Sequence, residues 1–469
     1  MRKLIILILI LTFLLIPAGC RNNLSNTNPD GTNGEGTPEA NGGNSVFSVF
    51  TPSAAEGTAL RLLHSDLYSY CTNENGYYYL TEFAAPIKDG SYAYHLMYMD
   101  FKTQQEIYLC SNTGCQHDTE DCTAVFMEND IAFDSRLFFY DNYLYLLSAQ
   151  TNHDGSIVLG TFSEESLGPV ECTASLYRMN PDGTGREKVH EFESGLSLEN
   201  NMILGDNTGL YFVTKKLSTQ QIDNTTTYYT STDRKLIRLS TDSWKEETIY
   251  EFDASATSKW NICGCFDSSF VFVRTLYEQN LSADEWVRLD DDAYIDMFNH
   301  SKTEFAVFNQ TDGSFTPIYS VPNDPLNSYA QRDHMLYVSV EGEDCIRQID
   351  LQTGESTILA NLKNSYIYCC FQDVICCSDW TGKDDSFYFV NREDGSVSHS
   401  GLVNKSLGWS LEFRGETQSD FLVIYDYDAI PYEDGSYEIL QYKHALISKE
   451  DLYAGNENYR PITMIGNGK

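Results

Sequence analysis

Three thiols and one imidazole fall inside thirteen residues, in the run Cys110-x4-Cys115-x-His117-x4-Cys122. Thiolate sulfur and imidazole nitrogen are the soft donors that Zn2+ gathers into a tetrahedral set. All four positions can be filled by this chain. The chemistry expected is therefore structural, because a catalytic zinc keeps one position open for water or substrate. A run this short, with few apolar residues to bury, gains order from a metal or from a disulfide. Three states stay open for it: a structural zinc held by Cys110, Cys115, His117 and Cys122, one disulfide with a spare thiol, or unlinked thiols. The neighbouring Asp118, Glu120 and Asp121 argue against a knuckle that grips nucleic acid.

A second candidate is Asp290-Asp291-Asp292 with Asp296, which follows Trp286 in a stretch expected to be an inserted loop. Closely spaced carboxylates suit Ca2+, but the Asp-x-Asp-x-Asp-Gly pattern is missing, so a solvated acidic loop is favoured over calcium. Trp286 could stack on a sugar ring, as could Trp244, Trp260, Trp380 and Trp409; packing between sheets is the simpler role for all five. Cys263 and Cys265 are expected on one face of a strand. Cys369-Cys370 and Cys376-Cys377 flank a two-residue turn at Gln372-Asp373 and could face each other across a hairpin, while Cys71, Cys172 and Cys345 are scattered. No Gly-x-Ser-x-Gly elbow, His-Glu-x-x-His pair or Walker-type loop occurs. With 68 Asp and Glu residues, some carboxylate pair must stand at glycosidase spacing by chance, so composition picks none out.

The elements that would position these residues are short strands. No convincing 3.6-residue amphipathic period appears after residue 55. What recurs is an aromatic, apolar stretch, then an alternating stretch and a turn, often with a third stretch behind. Tyr77-Tyr78-Tyr79-Leu80 and Tyr143-Leu144-Tyr145-Leu146-Leu147 are examples of the first, and Leu176-Tyr177-Arg178-Met179-Asn180 of the second. Asp-Gly pairs at 89/90, 154/155, 182/183, 312/313, 394/395 and 434/435 punctuate the series and predict hairpins with positive φ at both central residues. Seven copies spread over residues 55–469, with long insertions near 148–174, 214–234 and 275–304, predict an all-β chain folded as a seven-bladed β-propeller. The irregular spacing would also admit six or eight blades.

Leu176-Tyr177-Arg178-Met179-Asn180-Pro181-Asp182-Gly183-Thr184-Gly185 resembles the strand–turn unit of TolB-like propeller repeats, and the likeness extends more weakly over most of 60–460. The chain also resembles a group of bacterial propeller lipoproteins whose first blade is followed by a Cys-Cys-His-Cys cluster. The resemblance implies a fold and a surface location, and no defined activity.

Met1-Arg2-Lys3, the apolar run Leu4 to Ile16 and then Pro17-Ala18-Gly19-Cys20 have the order of a secretory signal. That apolar run, at about 1.5 Å per residue of helix, falls well short of a hydrocarbon core about 30 Å thick. Ala18-Gly19-Cys20 resembles a bacterial lipobox, with Pro17 where Leu is usual. The resemblance implies cleavage before Cys20 and lipidation of its thiol. The expected organisation is a signal over 1–19, a lipidated Cys20 and an Asn/Gly/Ser/Thr-rich tether over 20–54, and the propeller over 55–469. Loss of Arg2 and Lys3 would take the net charge from −37 to −39. Such a surface repels phosphate backbones and anionic headgroups, which excludes nucleic acid and leaves the lipid anchor as the membrane contact. The expected function is a non-catalytic lipoprotein, anchored on the extracytoplasmic side of the cell membrane, that binds a protein or glycan through its loops. The alternative is an extracellular carbohydrate-active or peptide-cleaving propeller using carboxylates in the central channel.

Overall fold

The computed structural model describes residues 59–65, 69–131, 135–149, 157–159, 168–169, 172–223, 226–253, 257–382, 386–432 and 436–465. The predicted signal, Cys20 and the tether lie outside the described residues, as do the Asp-Gly pairs at 154/155 and 434/435. Seven antiparallel sheets follow one another along the chain and form a seven-bladed β-propeller. From the inner to the outer strand, blade 1 is Tyr70–Asn73, Gly76–Leu80, Tyr92–Asp100 and Gln105–Tyr108. Blade 2 is Arg136–Tyr140, Tyr143–Ala149, Ala174–Met179 and Glu187–Glu191; blade 3 is Leu196–Gly205, Gly209–Asp223, Thr226–Ser240 and Glu246–Glu251. Blade 4 is Asn261–Phe266, Ser269–Leu276, Lys302–Asn309 and Ser314–Pro322; blade 5 is Ser328–Arg332, Met335–Ser339, Ile346–Asp350 and Ser356–Ala360. Blade 6 is Ser365–Cys370, Val374–Asp379, Tyr388–Asn391 and Val397–His399; blade 7 is Glu412–Glu416, Asp420–Pro431, Tyr437–Ser448 and Arg460–Pro461.

The aromatic stretches of the sequence are the second strands. They are apolar without alternation because a neighbouring blade covers each of their faces: Leu144 to Ala149 are all buried. Phe and Tyr rings fill the wedges between blades, as where Phe371 of blade 6 meets Phe413 and Phe421 of blade 7 at 5.0 and 4.5 Å between centroids. Outer strands keep one exposed edge, and Glu246–Glu251 accordingly holds no buried residue. The ring closes through the C-terminal segment. Beyond the outer strand of blade 7, Thr463 exchanges backbone hydrogen bonds with Gln104 and Glu106 of blade 1, and Ile465 N–H donates 3.0 Å to the Glu106 carboxylate.

Four features depart from the sequence expectations. Each blade has an inner strand ahead of its aromatic one. Runs such as Tyr70-Cys71-Thr72-Asn73 are too short and polar to register as strands by composition. The Asp-Gly turns place only the glycine at positive φ, as Gly183 at 80° shows. Asp182 instead binds the Thr184 N–H through its carboxylate at 3.0 Å, which makes the turn an Asx type. Cys263 and Cys265 do not share a face: a register shift between Ile262 and Gly264 sends Cys263 into the blade 4–5 core and Cys265 toward blade 3. Two helices also occupy the insertion of blade 4: α1, Ala283–Val287, and α2, Asp291–Asn299. Among the described residues no helix is long and apolar enough to cross a membrane.

Among the strands outside the four-stranded blades, one lies at the central channel. Arg61–His64 pairs antiparallel with the inner strand of blade 3, on the edge that faces the central channel. It also packs against the inner strands of blades 2 and 4. Leu60 N–H donates to Asp267 O, in the turn from inner to second strand of blade 4. Leu60, just ahead of this strand, therefore lies on the face carrying those turns. The connections from second to third strand leave the opposite face. They include the extended blade 3 hairpin, the helical insertion of blade 4 and the blade 7 hairpin around 426–441. This is called the loop face below.

Candidate metal centre and loop face

The outer strand of blade 1 is broken in two. Gln105–Tyr108 pairs with the lower half of Tyr92–Asp100, and a second piece, Val125–Met127, resumes the same edge opposite Ala93 to His95. Both cut ends are fastened to one residue. Leu96 N–H donates to Ala124 O at 2.8 Å, and Leu109 N–H donates to Leu96 O at 2.9 Å. Residues 110–123 are thus an excursion closed at its base by the sheet itself. They carry the whole Cys-Cys-His-Cys group.

Tight local turns fold the excursion back on itself. Cys115 N–H donates to Asn112 O and Cys122 N–H to Thr119 O. Gly114 (φ 77°) and His117 (φ 58°) take the left-handed conformation that brings the chain round. One donor atom each from Cys110, Cys115, His117 and Cys122 then falls within 4.8 Å of the others, so the group can bind a metal ion. With metal–sulfur bonds of about 2.3 Å, the edge of a tetrahedron is about 3.8 Å. His117 Nδ1 stands 3.4 Å from Cys122 Sγ, close to that edge. The imidazole is held by stacking on Tyr108, 4.3 Å between centroids at 18°, and its backbone carbonyl accepts from His95 Nε2 at 2.9 Å.

The electrostatics suit a cation. Burial, then His95, holds the His117 imidazole below its ordinary value and so in the neutral, ligating form. Burial pushes the Cys122 thiol up to about 12. Burial opposes ionisation of Cys110 too, but hydrogen bonds from the Asn112 backbone, Thr123 and the other two thiols outweigh it and lower its pKa. A bound divalent ion would ionise all three thiols outright. The Arg186 guanidinium braces the resumed strand beside the excursion, donating 2.6 Å to Val125 O and lying 4.2 Å over the Phe126 ring.

The other predicted site residues are placed differently. Trp286 is half-buried in α1 and packs edge-on against Tyr277 at 5.2 Å and Tyr294 at 5.7 Å. Asp290 is the N-cap of α2, its carboxylate accepting from Ala293 N–H at 2.8 Å, and Asp291 and Asp292 fill the first turn, where the helix dipole favours anions. Helix capping accounts for these aspartates. Among the described residues, the group of three or more potential ligands that converge is the Cys110–Cys122 one. Cys369 and Cys376 do face each other across the predicted hairpin, and all twelve described cysteines are free thiols.

Sequence reasoning gave Trp409 no priority over the other four tryptophans, yet it alone of the five is exposed, at 45 %. Nothing in its neighbours' types separates it; the difference is its place on the connection from blade 6 to blade 7. Close by on the inner strand of blade 7 stand Glu412 and Arg414, paired at 2.6 Å, and Tyr427 donates to the same Glu412 carboxylate.

No family model matches the sequence, and a search of curated proteins finds no match. Among solved structures the chain is similar to an oligogalacturonate lyase of Vibrio parahaemolyticus, at 9 % identity and a TM-score of 0.35 over 70 % of this chain and 84 % of that one. It is also similar to TolB of Acinetobacter baumannii, at 10 % identity and a TM-score of 0.30 over 80 % of this chain and 77 % of that one. A third likeness is to a puromycin-hydrolysing peptidase of Mycobacterium tuberculosis, at 10 % identity and a TM-score of 0.40. It covers 88 % of this chain and 55 % of that one. None of the three informs on what this chain binds.

Proposed function

We propose that this chain is a non-catalytic lipoprotein of the cell surface, held by a lipid on Cys20, whose propeller binds a protein or glycan partner through its loop face. The observation that carries this reading is the strand Arg61–His64, which pairs along the inner edge of blade 3 and packs against the inner strands of blades 2 and 4, inside the channel. A propeller enzyme that works in its channel needs that space for substrate. The loop face is instead the side opposite Leu60, and it carries the long hairpins and helices where binding normally resides.

The test has two parts. Cys20→Ala should move the protein from the membrane fraction to the soluble one. A thermal-shift screen of that soluble chain against glycans and peptides should then give a ligand that is stabilising and recovered unchanged. At one hundred times its Kd a ligand adds about 2.7 kcal/mol, enough to move the midpoint by about a degree or more. Retention of the Cys20→Ala protein in the membrane would sink the lipid anchor, and conversion of the hit would sink the non-catalytic reading.

The cysteine–histidine group is proposed to hold one structural zinc. Elemental analysis of protein purified under reducing conditions should give about one zinc per chain, lost in a Cys115→Ser, His117→Ala variant. Because both ends of the excursion are bonded to Leu96, chelation should raise amide exchange within 110–123 while blade 1 keeps its protection. A metal-free protein with fewer than four titratable thiols among Cys110, Cys115, Cys122 and a reference cysteine would point to the disulfide.

A further inference from the structure

Six large apolar side chains are exposed on the loop face of blades 7 and 1: Phe83, Tyr92, Trp409, Ile430, Tyr432 and Tyr437. Trp409 is the centre of the blade 7 group. Its loop is fixed by Asn404 N–H donating 2.8 Å to Trp409 O, and its indole meets Tyr427 at 6.0 Å and Tyr437 at 6.1 Å, both edge-on. Edge contacts on two sides hold the ring upright without burying it. A rigid, half-exposed indole is costly to leave in water unless something covers it.

The charges around it say what kind of partner fits. Among the described carboxylates near the platform, Glu412, Asp426, Asp428 and Glu438 each have a bonded partner within the chain. Glu412 is held by Arg414 and Tyr427, Asp426 and Asp428 share Lys443 at 3.5 and 2.6 Å, and Glu438 accepts from Tyr432 at 2.8 Å. A cationic peptide would have to compete with those internal donors, and the net charge of −37 repels an anionic one. What remains is a neutral ligand with an apolar face and many hydroxyls, able to stack on the ring and to share hydrogen bonds with carboxylates and a guanidinium that stay paired.

We infer that the Trp409 platform, with Tyr437 beside it and the Glu412–Arg414 pair below, is a binding subsite for a neutral glycan chain. The inference rests on the proposed reading of the propeller as a binding module and narrows its partner to one chemistry.

The test uses the full chain carrying Cys20→Ala, titrated calorimetrically with cellohexaose, xylohexaose, mannohexaose and fully N-acetylated chitohexaose, and with polylysine. At least one hexaose should bind, with an affinity that changes less than about twofold between low and high salt, since no net charge is neutralised. Trp409→Ala should weaken it by about tenfold or more at unchanged thermal midpoint, and Tyr437→Ala should weaken it in the same direction should the first variant fold poorly. Trp286→Ala should leave it unchanged. A hexaose that binds Trp409→Ala and Tyr437→Ala as tightly as the parent overturns the subsite and leaves the binding module standing. Salt-sensitive binding of polylysine with no hexaose bound overturns the glycan and favours a basic protein partner. Cleavage of a bound hexaose overturns the non-catalytic reading itself, and no binding of any probe at about 10 mM overturns this inference alone.

Discussion

Lys449→Met should cost the propeller about 3–5 kcal/mol, the range for removing one partner of a buried ion pair. Lys449 is the first residue of the short helix Lys449–Ala454 of blade 7, and its ammonium reaches Glu416 at 2.8 Å and Asp373 of blade 6 at 2.9 Å. Glu416 is 3 % exposed and also takes the Gln372 N–H of blade 6 on both oxygens at 3.0 Å. Burial raises its pKa even with Lys449 in place, so the carboxylate is already poorly solvated. Methionine keeps the apolar stem but removes the ammonium that bonds Glu416 directly, leaving Arg332 as a remaining cation acting on it. The double variant Lys449→Met, Glu416→Gln should recover most of the loss, because a neutral amide is cheaper to bury than an anion that has lost its direct ion pair. Lys405→Met breaks a pair of comparable length at the exposed surface and should leave the urea midpoint nearly unchanged. Urea midpoints at constant slope measure all three. Equal losses for Lys449→Met and Lys405→Met would contradict the argument from burial.

The sequence was most readable where one residue type answers one physical demand. Second strands had to be apolar on both faces, and Tyr143 to Leu147 or Phe421 to Tyr425 announced them and so the blade number. The Cys110–Cys122 run was legible because few other roles need three thiols and an imidazole so close together. Apart from those around Cys263 and Cys369, the inner strands were hidden, since Ser328–Arg332 or Glu412–Glu416 sit at the channel edge and mix polar with apolar residues. The channel strand was hidden as well. Arg61-Leu62-Leu63-His64 falls inside the expected propeller span but belongs to none of the recurring stretches, and only its pairing with blade 3 gives it a place. The bulge that separates Cys263 from Cys265 leaves no mark in a two-residue period. Asp290 shows the reverse problem: three consecutive aspartates suggest a cation, while a helix N-terminus uses the same residues for its own N–H groups. Exposure of Trp409 is a tertiary property, absent from any local pattern.

Replacing His444 with leucine should flatten the acid limb of the stability curve. His444 lies on the third strand of blade 7, fully buried against Tyr77 of blade 1 with ring centroids 6.2 Å apart, and its Nδ1 has no hydrogen-bond partner. Burial, and after it the nearby Arg414 guanidinium, brings its pKa down to about 3 from an ordinary 6.5. The native imidazole therefore stays neutral down to about pH 3, while in the unfolded chain it takes up a proton below about 6.5. Unfolding is thus favoured by acid. The full native advantage is present above pH 6.5 and falls by about 1.4 kcal/mol for each unit below it, to a total of about 4–5 kcal/mol near pH 3. Many surface carboxylates titrate over the same range in both proteins, so the difference between parent and variant isolates this one proton. His444→Leu should lose about 1 kcal/mol at pH 7, since it gives up the hydrogen bond with the Tyr442 backbone but also removes the unsatisfied Nδ1, and should gain on the parent by about 2.5 kcal/mol between pH 6 and pH 4. Urea unfolding at a series of pH values reads that difference directly. Parallel curves, or an imidazole that titrates above about pH 5 in the folded protein by NMR, would mean that water or a donor reaches His444 between blades 7 and 1. The wedge closing the ring would then be wetter than its packing against Tyr77, Leu422 and Leu446 describes.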